Sequence, residues 1–180
     1  MIKNVIISLM LIIALYFGSG GFIILENEQK YERAIVLPEK TAKYKGIPFY
    51  NKEVMLTAKE QELITKIYPY SKRIPSTLSF ILTAMAFGLI GSLSKLINQC
   101  LSDKTKLSET ENLFLIPFQG ALIGLIILGI SYTIPTFLTN ESGSLKPITV
   151  VLLSLFGGIY YKNFYTWLSS LIKKTIFKPT

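Results

Sequence analysis

Enzyme chemistry needs groups that move protons, attack carbon or phosphorus, or hold a metal, and this chain of 180 residues carries few of them. It has no histidine, one cysteine, Cys100, and one aspartate, Asp103. No Ser–His–Asp or Cys–His set can be assembled from such a chain, and no thiolate cluster can hold zinc. Seven of the eleven acidic residues lie between Glu26 and Arg73, outside every long apolar stretch. The run "GSGG" at residues 18–21 lacks the spacing and the following lysine of a Walker phosphate loop. The expectation is no catalytic residue, no metal site, no cofactor and no enzymatic activity.

The spacing that does recur belongs to small residues. Gly120 and Gly124 form a G-x-x-x-G pair, and Ala84, Gly88 and Ser92 repeat every four residues with Gly91 beside them. On a helix, such positions share a face, where missing side-chain bulk lets backbones approach and gain van der Waals contact. These six are the candidate helix-packing residues, within one bundle or between subunits. Gln119, Ser131, Thr133 and Asn163 are positioned to hydrogen-bond across helices, for about 0.6 kcal/mol each, or to face water in an oligomeric pore.

Half of the chain is hydrophobic, 17% is charged, and the mean hydropathy is +0.45. A soluble domain carries about 25% charged residues. Lipid offers no hydrogen-bond partners, so a crossing segment must satisfy its own backbone, and a helix needs about 20 mostly apolar residues to do so. Four stretches approach that length: Asn4–Leu25, Pro75–Ser94, Leu113–Leu138 and a segment starting at Pro147. The first resembles a signal peptide as far as Gly18 and Gly20, but "FIIL" resumes the apolar run, which favours an uncleaved anchor. The last two spans form an antiparallel hairpin.

Between Glu26 and Arg73 the chain turns polar, and Thr57 followed by Glu60 has the pattern of a capping box. It predicts a short amphipathic helix from about Ala58 to Tyr68, with Leu63, Ile64, Ile67 and Tyr68 on one face. A helix begun at Pro147 would reach the far hydrocarbon edge near Thr166. Lys162 then lies within reach of the headgroups, and Tyr160, Tyr161, Lys162, Trp167, Lys173 and Lys174 are read as interface anchors of an amphipathic tail. The short lysine-bearing N-terminus and an even number of spans place both termini in the cytoplasm, with Cys100 on the same side. The net charge of +8 alternates with Glu along the long loop, so no basic stripe for nucleic acid forms.

The sequence therefore predicts an all-α membrane protein with four transmembrane helices, a small extramembrane segment between the first and second, and an amphipathic C-terminal helix. Its divisions are 1–25, a signal-anchor helix; 26–73, the extramembrane segment; 74–161, three further helices; and 162–180, the tail. Within 75–174, "GLIGSLSKLI", "LIPFQGALIGLIILGI" and "KPITVVLLSLFGGIYYKNFYTWL" resemble a three-helix module of uncharacterised bacterial membrane proteins. The resemblance implies a bacterial inner membrane and supplies no activity. The partners expected are the lipid bilayer and either a second copy or another membrane protein, and the role is that of a non-catalytic membrane subunit. The alternatives are an oligomeric pore or membrane-perturbing effector and, third, a transporter component.

Overall fold

The computed structural model describes residues 2–102, 110–139 and 147–176. The chain is mostly helical. In order it contains α1 (Ile2–Ile35), β1 (Ala42–Tyr44), β2 (Ile47–Phe49), α2 (Lys52–Ile67), a short 3₁₀ turn (Pro69–Lys72), α3 (Ser76–Ser102), α4 (Thr110–Thr139), α5 (Pro147–Ile159) and α6 (Tyr161–Ile176). Among the described residues three helices are long and apolar enough to cross a membrane: Asn4–Ile35, Ser76–Gln99 and Phe114–Tyr132. Large apolar side chains such as Ile12, Leu78, Phe114 and Phe118 are exposed along them, a surface that water would penalise and lipid would not.

Two boundaries differ from expectation. The first helix does not stop at Leu25 but runs ten residues further. The segment "ENEQKYERAI" contains good helix formers, has no Gly or Pro, and pairs Glu26 with Lys30 across one turn at 3.6 Å. The fourth apolar helix, α5, has only 13 residues and rises about 20 Å, short of a full crossing on its own. Tyr160 is a turn residue between α5 and α6, although the helical bonding continues through it: the Tyr160 N–H donates to Phe156 O at 3.0 Å and the Phe164 N–H to Tyr160 O at 2.9 Å.

The chain divides into two compact units, Met1–Gly18 with Ala84–Thr180, and Ser19–Thr83. In the first, Ile7, Leu93 and Leu96 form a buried cluster with Met10, Leu89 and Ile116 packed against it. In the second, the hairpin turns at Lys45 and Gly46, both with positive φ (49° and 81°), the conformation of a two-residue type I′ turn. Its register pairs Tyr44 with Ile47 and Lys43 with Pro48. Pro48 thus falls at a non-hydrogen-bonded position, where its missing N–H costs nothing.

α2 starts six residues before the expected site. Asn51, 1% exposed, caps it: its Oδ1 accepts from the Val54 N–H at 2.8 Å, and its Nδ2 donates to Ala34 O at 2.7 Å. Thr57 is therefore inside the helix, not at its cap, and its hydroxyl donates to Val54 O at 2.9 Å. The inner face is Val54, Thr57 and Ile64, whereas Leu63 and Ile67 are exposed. Ile64 shares the buried face with Val54 and Thr57, and Leu63 and Ile67 turn away from it.

Candidate functional site

The six small residues named from the sequence come together in the first unit. A Cβ on Gly88 would meet the backbone of Gly120 and, at 3.0 Å, Gly124 N; one on Gly124 would meet the Ala84 carbonyl; one on Gly120 would meet the Gly88 carbonyl and the Ser92 hydroxyl. α3 and α4 are thus in backbone contact along the whole stripe. Gly91 faces the other way: its Cβ would meet Leu155 O, Ile159 N at 2.9 Å and Gly158 Cα at 3.1 Å. Gly158 in turn lies against the Gly88 carbonyl and Ser92 N. Three helices meet backbone to backbone, and Ala84, Ser92, Val150 and Ser154 around them are fully buried.

Gly157 and Gly158 are the residues that the sequence reading missed. The doublet in "SLFGGIYY" was the available signal, but without the α3 face to set beside it the doublet reads as an ordinary helix end. Gly157 sits on α4 side chains, its Cβ position 2.7 Å from both Ile123 Cγ2 and Ile127 Cδ1. The cross-helix hydrogen bond expected of Ser131 is not made; its hydroxyl donates to Leu128 O of its own helix at 2.7 Å. Ser92 bonds likewise to Leu89 O. Gln119 is half-buried and Asn163 exposed, while the side chains of Thr133 and Cys100 lie outside the described residues.

The expected interface anchors separate. Tyr160, Lys162, Trp167 and Lys173 are exposed. Tyr161 is buried at 7% exposure beneath Lys95, whose ammonium stands 4.6 Å from the ring centroid. That is a cation–π contact of a packed residue, not the outward placement of an interface tyrosine. The Lys174 side chain lies outside the described residues.

The second unit holds the charged chemistry. Lys45 Nζ donates to both carboxylate oxygens of Glu62 at 2.7 Å. This bond holds the Glu62 carboxyl below its ordinary value and raises that of the Lys45 ammonium. The other ion pairs among the described residues, Lys30 with Glu26 and Glu60 and Lys66 with Glu62, are also exposed. Among the described residues no group of three or more Cys, Asp or Glu side chains is placed to hold a metal ion.

α2 presents its exposed stripe here. Leu56, Leu63 and Ile67 are 44%, 53% and 63% exposed. Separations of seven and eleven residues from Leu56 put Leu63 and Ile67 about 20° to either side of it on the helix. Lys52, Lys59 and Lys66 flank the stripe on one side, and Glu53 and Glu60 on the other. Comparison of the chain with protein-family models, with curated proteins and with solved structures returns no match.

Proposed function

We propose that the protein is a non-catalytic subunit of a bacterial inner membrane that self-associates through the outer stripe of α2. The observation that carries this is the inward use of the small residues. Gly88, Gly91, Gly120, Gly124 and Gly158 are occupied with one another inside a single chain, so the faces that drive close helix association in lipid are not free for a second copy. The apolar stripe of α2 belongs to none of the apolar spans and stays uncovered. A second copy fits it. Set parallel about a two-fold axis, the lysine flank of one α2 faces the glutamate flank of the other.

In this reading α1, α3 and α4 cross the bilayer, and α5 completes a fourth crossing together with the first turn of α6. Both termini then share the cytoplasmic side, and residues 26–73 lie outside the hydrocarbon. The test is energy transfer between two fluorescently labelled populations reconstituted in liposomes. Transfer should rise with protein-to-lipid ratio and should be lost in Leu63→Glu and in Ile67→Glu. Both replace exposed side chains, so folding is preserved. A chain that stays monomeric at every ratio contradicts the proposal, as does transfer that survives both substitutions.

A further inference from the structure

The unit Ser19–Thr83 contains a cleft of about 350 Å3 whose lining includes Ile24, Asn27, Glu28, Gln61, Ser71 and Ile74. Asn27 is only 6% exposed. Its Nδ2 donates to Gln61 Oε1 at 2.8 Å and to the Thr57 carbonyl at 3.4 Å. A backbone carbonyl only accepts, so this contact fixes which end of the amide points at Thr57. The other end, Oδ1, is buried with no partner, and so is the Ser71 hydroxyl. Buried acceptors are rarely left in this state, and two that belong to residues lining one cleft point to a donor from outside the chain.

The charge of that donor follows from Glu28. Its side chain lines the same cleft, is exposed, and makes none of the ion pairs found among the described residues. An anion would meet repulsion there, and a quaternary ammonium carries no N–H to give to Asn27 or Ser71. A primary ammonium has three donors and a positive charge. Two apolar members of the lining stand at the ends of long apolar stretches: Ile24 is one residue before the first run ends at Leu25, and Ile74 two residues before α3 begins at Ser76.

We propose that this cleft binds a primary ammonium group, with Asn27 Oδ1 and Ser71 Oγ accepting its hydrogen bonds and Glu28 supplying the counter-charge. The group is carried either by the headgroup of phosphatidylethanolamine or by a free amine in solution. The proposal does not rest on self-association, because no residue of the α2 stripe takes part.

The experiment is native mass spectrometry of the full chain released from detergent, with phosphatidylethanolamine and phosphatidylcholine of equal acyl composition offered together. The ethanolamine lipid should be retained about tenfold over its trimethylated counterpart. Glu28→Gln and Ser71→Ala should each lower that preference several-fold. Among the described residues neither side chain holds a hydrogen bond or ion pair, and unchanged thermal melting will verify that the fold does not depend on them. Glycerophosphoethanolamine and ethanolamine form the second arm: saturable binding of either, competing with the lipid, identifies a soluble amine, and retention of the intact lipid alone identifies the headgroup. Both results support the ammonium site. Equal retention of the two lipids with no binding of the free amines overturns it, as does a preference that survives both substitutions.

Discussion

The two units of this chain are held together in opposite ways. Where α3, α4 and α5 meet, contact depends on atoms that are missing: Gly88, Gly91, Gly120, Gly124 and Gly158 let carbonyls and Cα atoms of neighbouring helices touch. In Ser19–Thr83, contact depends on atoms that are present: Asn51 ties the start of α2 to Ala34, Asn27 reaches Gln61, and Lys45 grips Glu62. In the proposed membrane placement the difference follows from solvent. Lipid gives apolar side chains no reason to leave it, so association there comes from close packing. Where water competes, a buried polar group is stabilised by a specific partner, and removing that partner is expensive.

The contrast breaks first at the glycines. Gly88→Ala or Gly158→Ala would drive a methyl into a carbonyl of another helix, which no rotamer change can relieve, and each should cost about 3 kcal/mol. Gly129→Ala is the internal control, because among the described residues nothing beyond its own stretch of helix backbone lies within 4 Å of its Cβ position. It should be neutral or stabilise α4 by up to about 1 kcal/mol through helix propensity. Thermal unfolding in detergent micelles separates the two outcomes, and equal behaviour of Gly88→Ala and Gly129→Ala would remove the distinction between the units.

Next in size is Asn51→Ala. It removes the cap of α2 and takes from the Ala34 carbonyl the shorter of its two hydrogen bonds, leaving the Leu37 N–H at 3.2 Å, for about 2 kcal/mol in all. Hydrogen exchange should show the loss in α2 and the hairpin, with α3 to α5 unchanged.

The smallest effect concerns Lys45 and Glu62, both exposed and screened by salt. Because the folded state lowers the Glu62 pKa, its contribution is complete above the ordinary carboxylate value and is lost as pH falls through the lowered one. The Lys45 pKa is raised, so its contribution is complete below the ordinary lysine value and is lost as pH rises through the raised one. Hairpin protection should therefore be flat from about pH 5 to 10 and fall at both ends. Glu62→Gln should flatten both edges.

What the sequence revealed and what it hid divide along the same line. The small-residue spacing on α3 and α4 was legible because helical periodicity alone places Gly88 opposite nothing bulky. The matching surface on α5 was not, since Ser154, Gly157 and Gly158 acquire their meaning only from the α3 face beside them. In the second unit Thr57 and Glu60 had the form of a cap, but Asn51 captures the helix start by serving both Val54 and Ala34. A sequence pattern cannot weigh a local cap against one with a second, distant bond. Gly20, where the first helix resembles a signal peptide, lies against Tyr68 and Tyr70, and Gly21 beside it lies against Thr83, contacts between residues some fifty to sixty positions apart that no local rule anticipates.

The most direct test of packing within one chain is the unfolding midpoint of Gly158→Ala, compared with the unsubstituted protein across a series of protein-to-lipid ratios. An interface inside one chain predicts a fixed loss at every dilution, because unfolding it changes no molecularity. A loss that varies with dilution would place the glycine contacts between copies and contradict the account.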